Sequence, residues 1–363
     1  MDARGAVARI NLEAVRHNLR VAKQLAPGAR AIAVVKANAY GHGDLTVAAA
    51  LKDEAELFAV ARFEEAQKLR AGGIRQPILL LEGFFNVAQL EYAARHDFHI
   101  CIHQFAQLEA LERTPLARPV TVWVKIDSGM HRVGFAPEQA DEVFARLARV
   151  AAVLQPVNAM THFARADEPE QRAVTEAQIA RFQQVTKGRV KATALCNSAG
   201  VIAFPEAHAD YIRPGIMLYG ITPFGDQQGS DIGLRPAMDF TTTLIAVREH
   251  KAGEPVGYAG SWVSPRDTRI GVIAVGYGDG YPRMAPPGTP VLVNGRRVPL
   301  AGRVSMDMAT IDLGPDATDK LGDEVLLWGQ GLAAEEVARH VGTIAYELVT
   351  RMTARPRLEY IGE

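Results

Sequence analysis

Eight short β-rich runs, most followed by a stretch with helical periodicity, occupy the first two thirds of the chain. The runs are AIAVVK (31–36), LFAVA (57–61), PILLLEG (77–83), FHICIH (98–103), PVTVWVKI (119–126), PVNAMTH (156–162), ATALCN (192–197) and DYIRPG (210–215). Most are near-continuous apolar runs, the pattern of strands covered on both faces by helices, as in parallel sheets. Between them lie helical stretches such as FEEAQKLRAGG (63–73), which closes on a glycine pair. EPEQRAVTEAQIARFQQV (168–185) opens with acidic residues and Pro169, as a helix start does. The rhythm predicts an α/β fold, a (β/α)8 barrel of the TIM type. A doubly wound open sheet is the competing architecture, and eight sequential units suit closure better.

After about residue 232 the rhythm changes. Helical periodicity gives way to DFTTTLIAVREH, EPVGYAGSW, RIGVIAVGYGDGY, PVLVNGRRVPL and DEVLLWG, with one short helical pattern around AAEEVARHV. Asn294-Gly295, between Val291-Leu292-Val293 and the run after Arg296, predicts a tight hairpin. The reading is a barrel over residues 1–232 and a second, mostly antiparallel β domain over 233–363, with VARINL near the N-terminus pairing into the second. A chain of 363 residues suits two domains, since single cores stop growing near roughly 250–300 residues.

Several function classes drop out on charge and cysteine usage. A net charge of −1 offers no field for nucleic acid or an anionic membrane. Cys101 and Cys196 stand far apart without a C-x-x-C pairing, so neither a disulfide framework nor a metal site is expected. No window approaches the ~20 apolar residues that span a bilayer. The opening Met1-Asp2-Ala3-Arg4-Gly5 forms no signal-peptide core. A cytoplasmic protein is expected.

Barrel chemistry sits at the C-terminal ends of the strands. There the sequence places Lys36 and Tyr40 after the first strand and Lys125, Asp127 and Arg132 after the fifth. His162 follows the sixth, Asn197 and Ser198 the seventh, and Arg213, Gly215 and Ile216 the eighth. A lysine near apolar walls and other cations loses its proton readily and can act as a Schiff-base amine. The turns Asn197-Ser198-Ala199-Gly200 and Arg213-Pro214-Gly215-Ile216 offer backbone N–H groups and a hydroxyl for a phosphate. A lysine across from a phosphate cradle points to pyridoxal 5'-phosphate. "GYGDGY" has the wrong glycine spacing for a nucleotide loop, and no helical pattern follows it.

"AVVKANAYGHG", "VKIDSGMHRVGF", "THFARAD", "YIRPGIMLYG", "VGYAGSW", "GYGDGYPR" and "GRVSMD", in this order along both domains, closely resemble the alanine racemases. The resemblance implies a pyridoxal phosphate-dependent isomerase interconverting L- and D-alanine. It would supply D-alanine for peptidoglycan precursors or act in alanine catabolism, as a head-to-tail homodimer with shared active sites. It implies two catalytic bases, Lys36 for D-alanine and Tyr258 for L-alanine. Cofactor-binding roles pass to Tyr40, His162, Asn197, Ser198, Arg213, Gly215 and Ile216. Arg132 and the Met306 backbone amide would meet the substrate carboxylate, and Lys125 would be carbamylated by carbon dioxide. Asp167, Tyr281, Arg283 and Arg303 would line the entrance, with Asp307 structural or beside them. Two positions depart from many relatives: Ala194-Leu195-Cys196 stands where a histidine precedes the Asn-Ser pair, and Ala354 where a tyrosine meets the cofactor phosphate. A decarboxylase of basic amino acids would not need Tyr258, and a non-catalytic cofactor carrier would lack the β domain. Racemisation of another small or basic amino acid differs only in pocket lining and stays open from sequence.

Overall fold

Strand β1 (Val7–Asn11) precedes eight strands that close a parallel barrel: β2 (Arg30–Val34), β3 (Leu57–Val60), β4 (Ile78–Leu80), β5 (Phe98–Ile102), β6 (Val122–Lys125), β7 (Asn158–Met160), β8 (Thr193–Ala194) and β9 (Tyr211–Ile212). The computed structural model describes residues 5–362. Each of the eight predicted runs supplies one barrel strand. Closure comes from β2 pairing with β9, Arg30 opposite Tyr211 and Ala31 opposite Ile212. Every residue of β3, β4, β6 and β7 is buried, which is why these runs carry no polar alternation. The helical patterns form where expected, at Phe63–Ala71 and Arg172–Thr186.

The barrel interior is filled from several strands at once. The Trp123 indole of β6 donates to His99 Nδ1 of β5 at 3.3 Å. Its ring also meets Tyr211 of β9 edge-on, with centroids 5.4 Å apart. Strands β6 and β9 are not neighbours, so that contact runs through the interior. Burial holds the His99 imidazole down near pKa 4, neutral and able to accept the indole proton. Lys125 lies two residues beyond Trp123, hence on the same face of β6. The same alternation that buries the tryptophan aims the lysine into the barrel mouth.

The second unit is built around β10 (Met238–His250), a long strand that pairs with Thr268–Ile273 and with Glu324–Trp328, both antiparallel. Strand β1 joins this sheet, antiparallel to β10 and parallel to Arg357–Ile361. The predicted hairpin forms between Pro290–Val293 and Arg296–Pro299. Its Asn294 and Gly295 both have positive φ, 50° and 80°, as a two-residue type I′ turn requires. Phe240, Trp328 and Tyr281 stack in the core of this unit.

The chain divides into one unit of residues Arg16–Ala39 and Asp44–Leu218, and another of the described residues through Val15, Tyr40–Gly43 and those from Tyr219 on. The boundary therefore falls at Tyr219 and not at 232. The intervening segment carries no strand or long helix, so its change of allegiance leaves no periodic mark. Its backbone is gathered by Glu335, which accepts from the amides of Thr222 and Gly229, both at 3.0 Å. Glu335 opens the amphipathic helix Ala334–Val341, so this segment is tied to the β unit.

Candidate active site

Strand β2 ends at Val34, and the chain then does something its composition does not announce. Ala37, Asn38, Ala39 and Tyr40 all adopt left-handed backbone conformation, with φ between 52° and 55°. Each non-glycine residue in that region costs roughly 1–2 kcal/mol. Such strain persists where surrounding contacts over-determine it, and it concentrates at functional sites. The contacts are explicit: Ala37 donates its amide to Glu65 Oε1 at 2.6 Å, and Ala39 to the Val35 carbonyl at 3.0 Å. The Asn38 side chain accepts from the Asp44 amide at 3.2 Å. Lys36 is the hinge between strand and turn.

Around the barrel mouth the structure collects charge of one sign. Burial lowers the proton affinity of Lys36, Arg132 lowers it further, and Glu82 and Glu65 oppose them. Lys125 is depressed by burial and by the positive charges of Arg213, Arg132 and Lys36, against a raising influence of Cys101. His162 is held well below its ordinary range by burial, then by Arg213, Lys125, Arg132 and Lys36. Five of the residues predicted from the strand ends thus sense one another electrostatically.

Arg213 has no carboxylate partner among the described residues. Its guanidinium is buried and donates to the carbonyls of Ala194 at 2.5 Å, Thr161 at 2.6 Å and Leu195 at 3.0 Å. Burial brings it down to about 10, still protonated at neutral pH. Ala194 and Leu195 belong to the stretch that departs from relatives with a histidine before the Asn-Ser pair, and their backbone oxygens do part of the holding. The Cys196 thiol donates to the Ala207 carbonyl at 3.1 Å and burial pushes it up to about 12, so it is an inert packing group.

The Asn197-Ser198 pair, read in the sequence as part of a turn, opens a helix, Ser198–Ala203, with Asn197 capping the Gly200 amide at 3.0 Å. Ser198 Oγ accepts from the Gly215 amide at 2.9 Å, which joins the turns after β8 and β9. Its own proton remains available to an acceptor. Ile216 begins the 3₁₀ turn Ile216–Tyr219. First-turn amides of such elements lack intrahelical partners. Hydroxyl, amides, guanidinium and a recessed amine fit a phosphorylated aldehyde carrying several negative charges.

Two placements differ in kind from the sequence reading. Asp127 does not serve the mouth: its Oδ1 accepts from the amides of Gly129, Met130 and His131, each at 3.0 Å, and so shapes the loop that carries exposed Arg132. Tyr281 cannot line an entrance. It is fully buried, its ring stacks on Trp328 with centroids 6.0 Å apart, and burial raises its phenol far above the usual range. The exposed tyrosine of "GYGDGY" is Tyr277. Tyr40 is also buried, packed on Tyr219 at 4.9 Å between centroids.

Residues not singled out in the sequence hold the predicted ones. Glu65 grips the lysine turn, and Gln178 accepts from the Ala164 amide and donates to the His162 carbonyl. An acidic residue in a first helical turn and a glutamine on an apolar face are the only signals they leave. In the β unit Tyr258 and Met306 are strongly exposed, 69% and 53%, and Arg283, Arg303 and Asp307 are exposed as well. Asp167 is exposed in the loop after β7.

A closed parallel barrel whose strand ends gather an amine of lowered proton affinity among cations, joined in one chain to an antiparallel β unit, defines the class as a two-domain α/β-barrel protein. Family models described as "Alanine racemase, N-terminal domain" and "Alanine racemase, C-terminal domain" match residues 10–223 and 237–360. The chain belongs to the alanine racemase family, a family of isomerases. It is 56% identical to an alanine racemase of Pectobacterium atrosepticum over 98% of each chain. It is 55% identical to the biosynthetic alanine racemase of Escherichia coli K12, over 97% of this chain and 98% of that one. The solved biosynthetic alanine racemase of Pseudomonas aeruginosa is 46% identical and superposes with a TM-score of 0.94 over 99% of each chain. No helix among the described residues is long and apolar enough to cross a membrane.

Proposed function

We propose that this chain interconverts L- and D-alanine with bound pyridoxal 5'-phosphate, as a homodimer in which each barrel mouth is completed by the β unit of the other subunit. The observation that carries the reading is the recessed, proton-poor amine of Lys36 among Lys125, Arg132, His162 and Arg213. When bound, the cofactor supplies an aldehyde for an amine and a conjugated ring that acidifies the substrate's α-carbon proton. The residues to hold it are Lys36, Tyr40, His162, Asn197, Ser198, Arg213, Gly215 and Ile216.

The chain's own groups divide the remaining work. Arg213, fixed by three carbonyls, offers a hydrogen bond to a ring nitrogen and, as a guanidinium, does not hand over a proton. Racemisation requires a proton to leave one face of the α-carbon and another to arrive on the opposite face. Lys36 moves the proton at Nζ on the face that serves D-alanine, and the partner subunit's Tyr258 moves it at Oη for L-alanine. Its 69% exposure within one chain suits a residue that works on a neighbour. Arg132 holds the substrate carboxylate in two-point geometry, helped by the amide of the partner's Met306. Lys125, unprotonated more readily than an ordinary lysine, adds carbon dioxide at Nζ with loss of one proton and becomes an anion facing Arg132. Asp167, Arg283 and Arg303 flank the approach, and we place the protein in the cytoplasm, supplying or consuming D-alanine.

The test is a racemase assay over a panel of L-amino acids with cofactor supplied. Alanine should turn over fastest. A faster rate with serine or lysine would replace the substrate assignment, and no turnover of any would overturn the activity.

A further inference from the structure

Glu65 does more than begin a helix. It is the third residue of the helix Phe63–Ala71, and one carboxylate oxygen, Oε2, accepts from the amides of Ala61 at 3.0 Å and Arg62 at 2.9 Å. That is ordinary capping, and it would stabilise the helix wherever the helix lay. The other oxygen, Oε1, reaches out of its own element to the amide of Ala37 at 2.6 Å. Ala37 directly follows Lys36 and is the first of the consecutive left-handed residues. One carboxylate therefore joins the end of β3 to the strained turn after β2. A charge-assisted bond of this kind is stronger than a neutral one.

We propose that Glu65 is the positioning residue of Lys36: its carboxylate fixes the backbone that carries the lysine and presents negative charge to the lysine amine. This rests on Lys36 being the amine of the proposed reaction. The charged groups that act on Lys36 are Arg132 on one side of the balance and Glu82 and Glu65 on the other, and Lys36 in turn acts on Lys125 and His162. Removing one of the two anions leaves burial and Arg132 less opposed and drives the amine further toward its neutral form. A helix cap alone would have no such effect.

The experiment uses the full-length chain freed of cofactor, with trace acetic anhydride as the probe, and reads acetylation of Lys36 against pH by peptide mass spectrometry. Glu65→Gln keeps the side-chain shape and an acceptor oxygen. It should move the Lys36 midpoint downward and raise its labelling severalfold at neutral pH, while Glu64→Gln at the exposed neighbour should not. An unmoved midpoint in Glu65→Gln would overturn the electrostatic half. Hydrogen exchange reads the backbone half: the Ala37 amide should exchange faster in Glu65→Ala and recover most of its protection in Glu65→Gln. Equal exchange in Glu65→Ala and the parent would overturn it. With cofactor and alanine supplied, Glu65→Ala should lose about tenfold to a hundredfold in kcat, the scale of a misplaced reacting group, with KM nearly unchanged. A loss confined to KM would count against positioning. Labelling and exchange need no turnover, so a parent chain that failed to racemise alanine would refute the proposed activity while these two readouts still decided the role of Glu65.

Discussion

Replacing Arg213 with lysine tests whether the shape of the guanidinium, and not only its charge, holds the barrel mouth together. In the parent, two different nitrogens serve three carbonyls contributed by the ends of β7 and β8. An ammonium is a single point and cannot sit at both nitrogen positions. With one nitrogen position gone, one or two charge-assisted bonds worth about 1.5–3 kcal/mol each would be lost; Ala194 would keep the Thr161 amide at 3.2 Å, whereas Thr161 and Leu195 would lose their guanidinium donor. That loss, about 1.5–6 kcal/mol, brackets the roughly 3–5 kcal/mol usual for breaking a buried charged network, and the central 3–5 kcal/mol sets the expectation. At about 2 °C per kcal/mol for a large domain, Arg213→Lys should melt about 6–10 °C below the parent. The measurement is thermal unfolding by circular dichroism, for both proteins in one buffer and both without cofactor. A variant melting within about 1 °C of the parent would refute the reasoning, because an ammonium would then satisfy all three carbonyls or they would find other donors.

Borohydride reduction of the cofactor-loaded chain followed by peptide mapping should leave the pyridoxyl label on Lys36; a label on another lysine would remove Lys36 from its role. Mixing inactive Lys36→Ala and Tyr258→Phe chains should restore part of the activity through hybrid dimers with one intact site, and no recovery after verified subunit exchange would count against shared sites. Tyr258→Phe should lose racemisation in both directions yet keep solvent deuterium exchange at the α-carbon of D-alanine, measured by proton NMR, while exchange from L-alanine collapses; equal residual exchange from both would end the two-base assignment. Tyr281 carries a buried hydroxyl with no hydrogen-bond partner among the described residues, so Tyr281→Phe should be neutral or stabilising by up to about 1 kcal/mol with unchanged kcat and KM. A large kinetic effect would return Tyr281 to the entrance.

What could be read from the sequence was what local chemistry determines. Runs buried on both faces must be apolar almost throughout, so the eight barrel strands showed themselves, and the residues just beyond them fell at the mouth by construction. The strands themselves are shorter than the runs: β8 is only Thr193–Ala194, although the flanking Ala192 and Cys196 carbonyls still accept from the Ala159 and Arg213 amides at 2.9 Å. The left-handed turn left no trace, since Ala37 and Ala39 are strong helix formers and tertiary contacts override their preference. Which tyrosine of "GYGDGY" is buried depends on Trp328, far along the chain and invisible to a local pattern. The carbonyl nest around Arg213 is likewise illegible, because backbone oxygens carry no residue identity. A site's donors can be read from side chains, but the acceptors that hold them are often main chain.

The same distinction bears on the charge that the mouth retains. Backbone carbonyls fix Arg213 without neutralising it, whereas a carboxylate would have cancelled its charge. Lys125 and His162 sit beside it with lowered proton affinity and Arg132 adds a further positive charge, while Glu65 and Glu82 act on Lys36. The uncompensated charge belongs to Arg213 and Arg132, which cannot shed protons at neutral pH. Lys36, Lys125 and His162 can, and burial beside the guanidiniums is what pushes them toward neutrality. Two permanent cations thus keep the neighbouring amines ready as bases and nucleophiles, and the phosphate and carboxylates of the proposed cofactor and substrate would meet the charge that remains. Exchanging Arg132 for a neutral side chain should therefore do two things at once: weaken anion binding and raise the pH at which the Lys36 amine becomes free, whereas exchanging Arg213 should act in the same sense on Lys125 and His162.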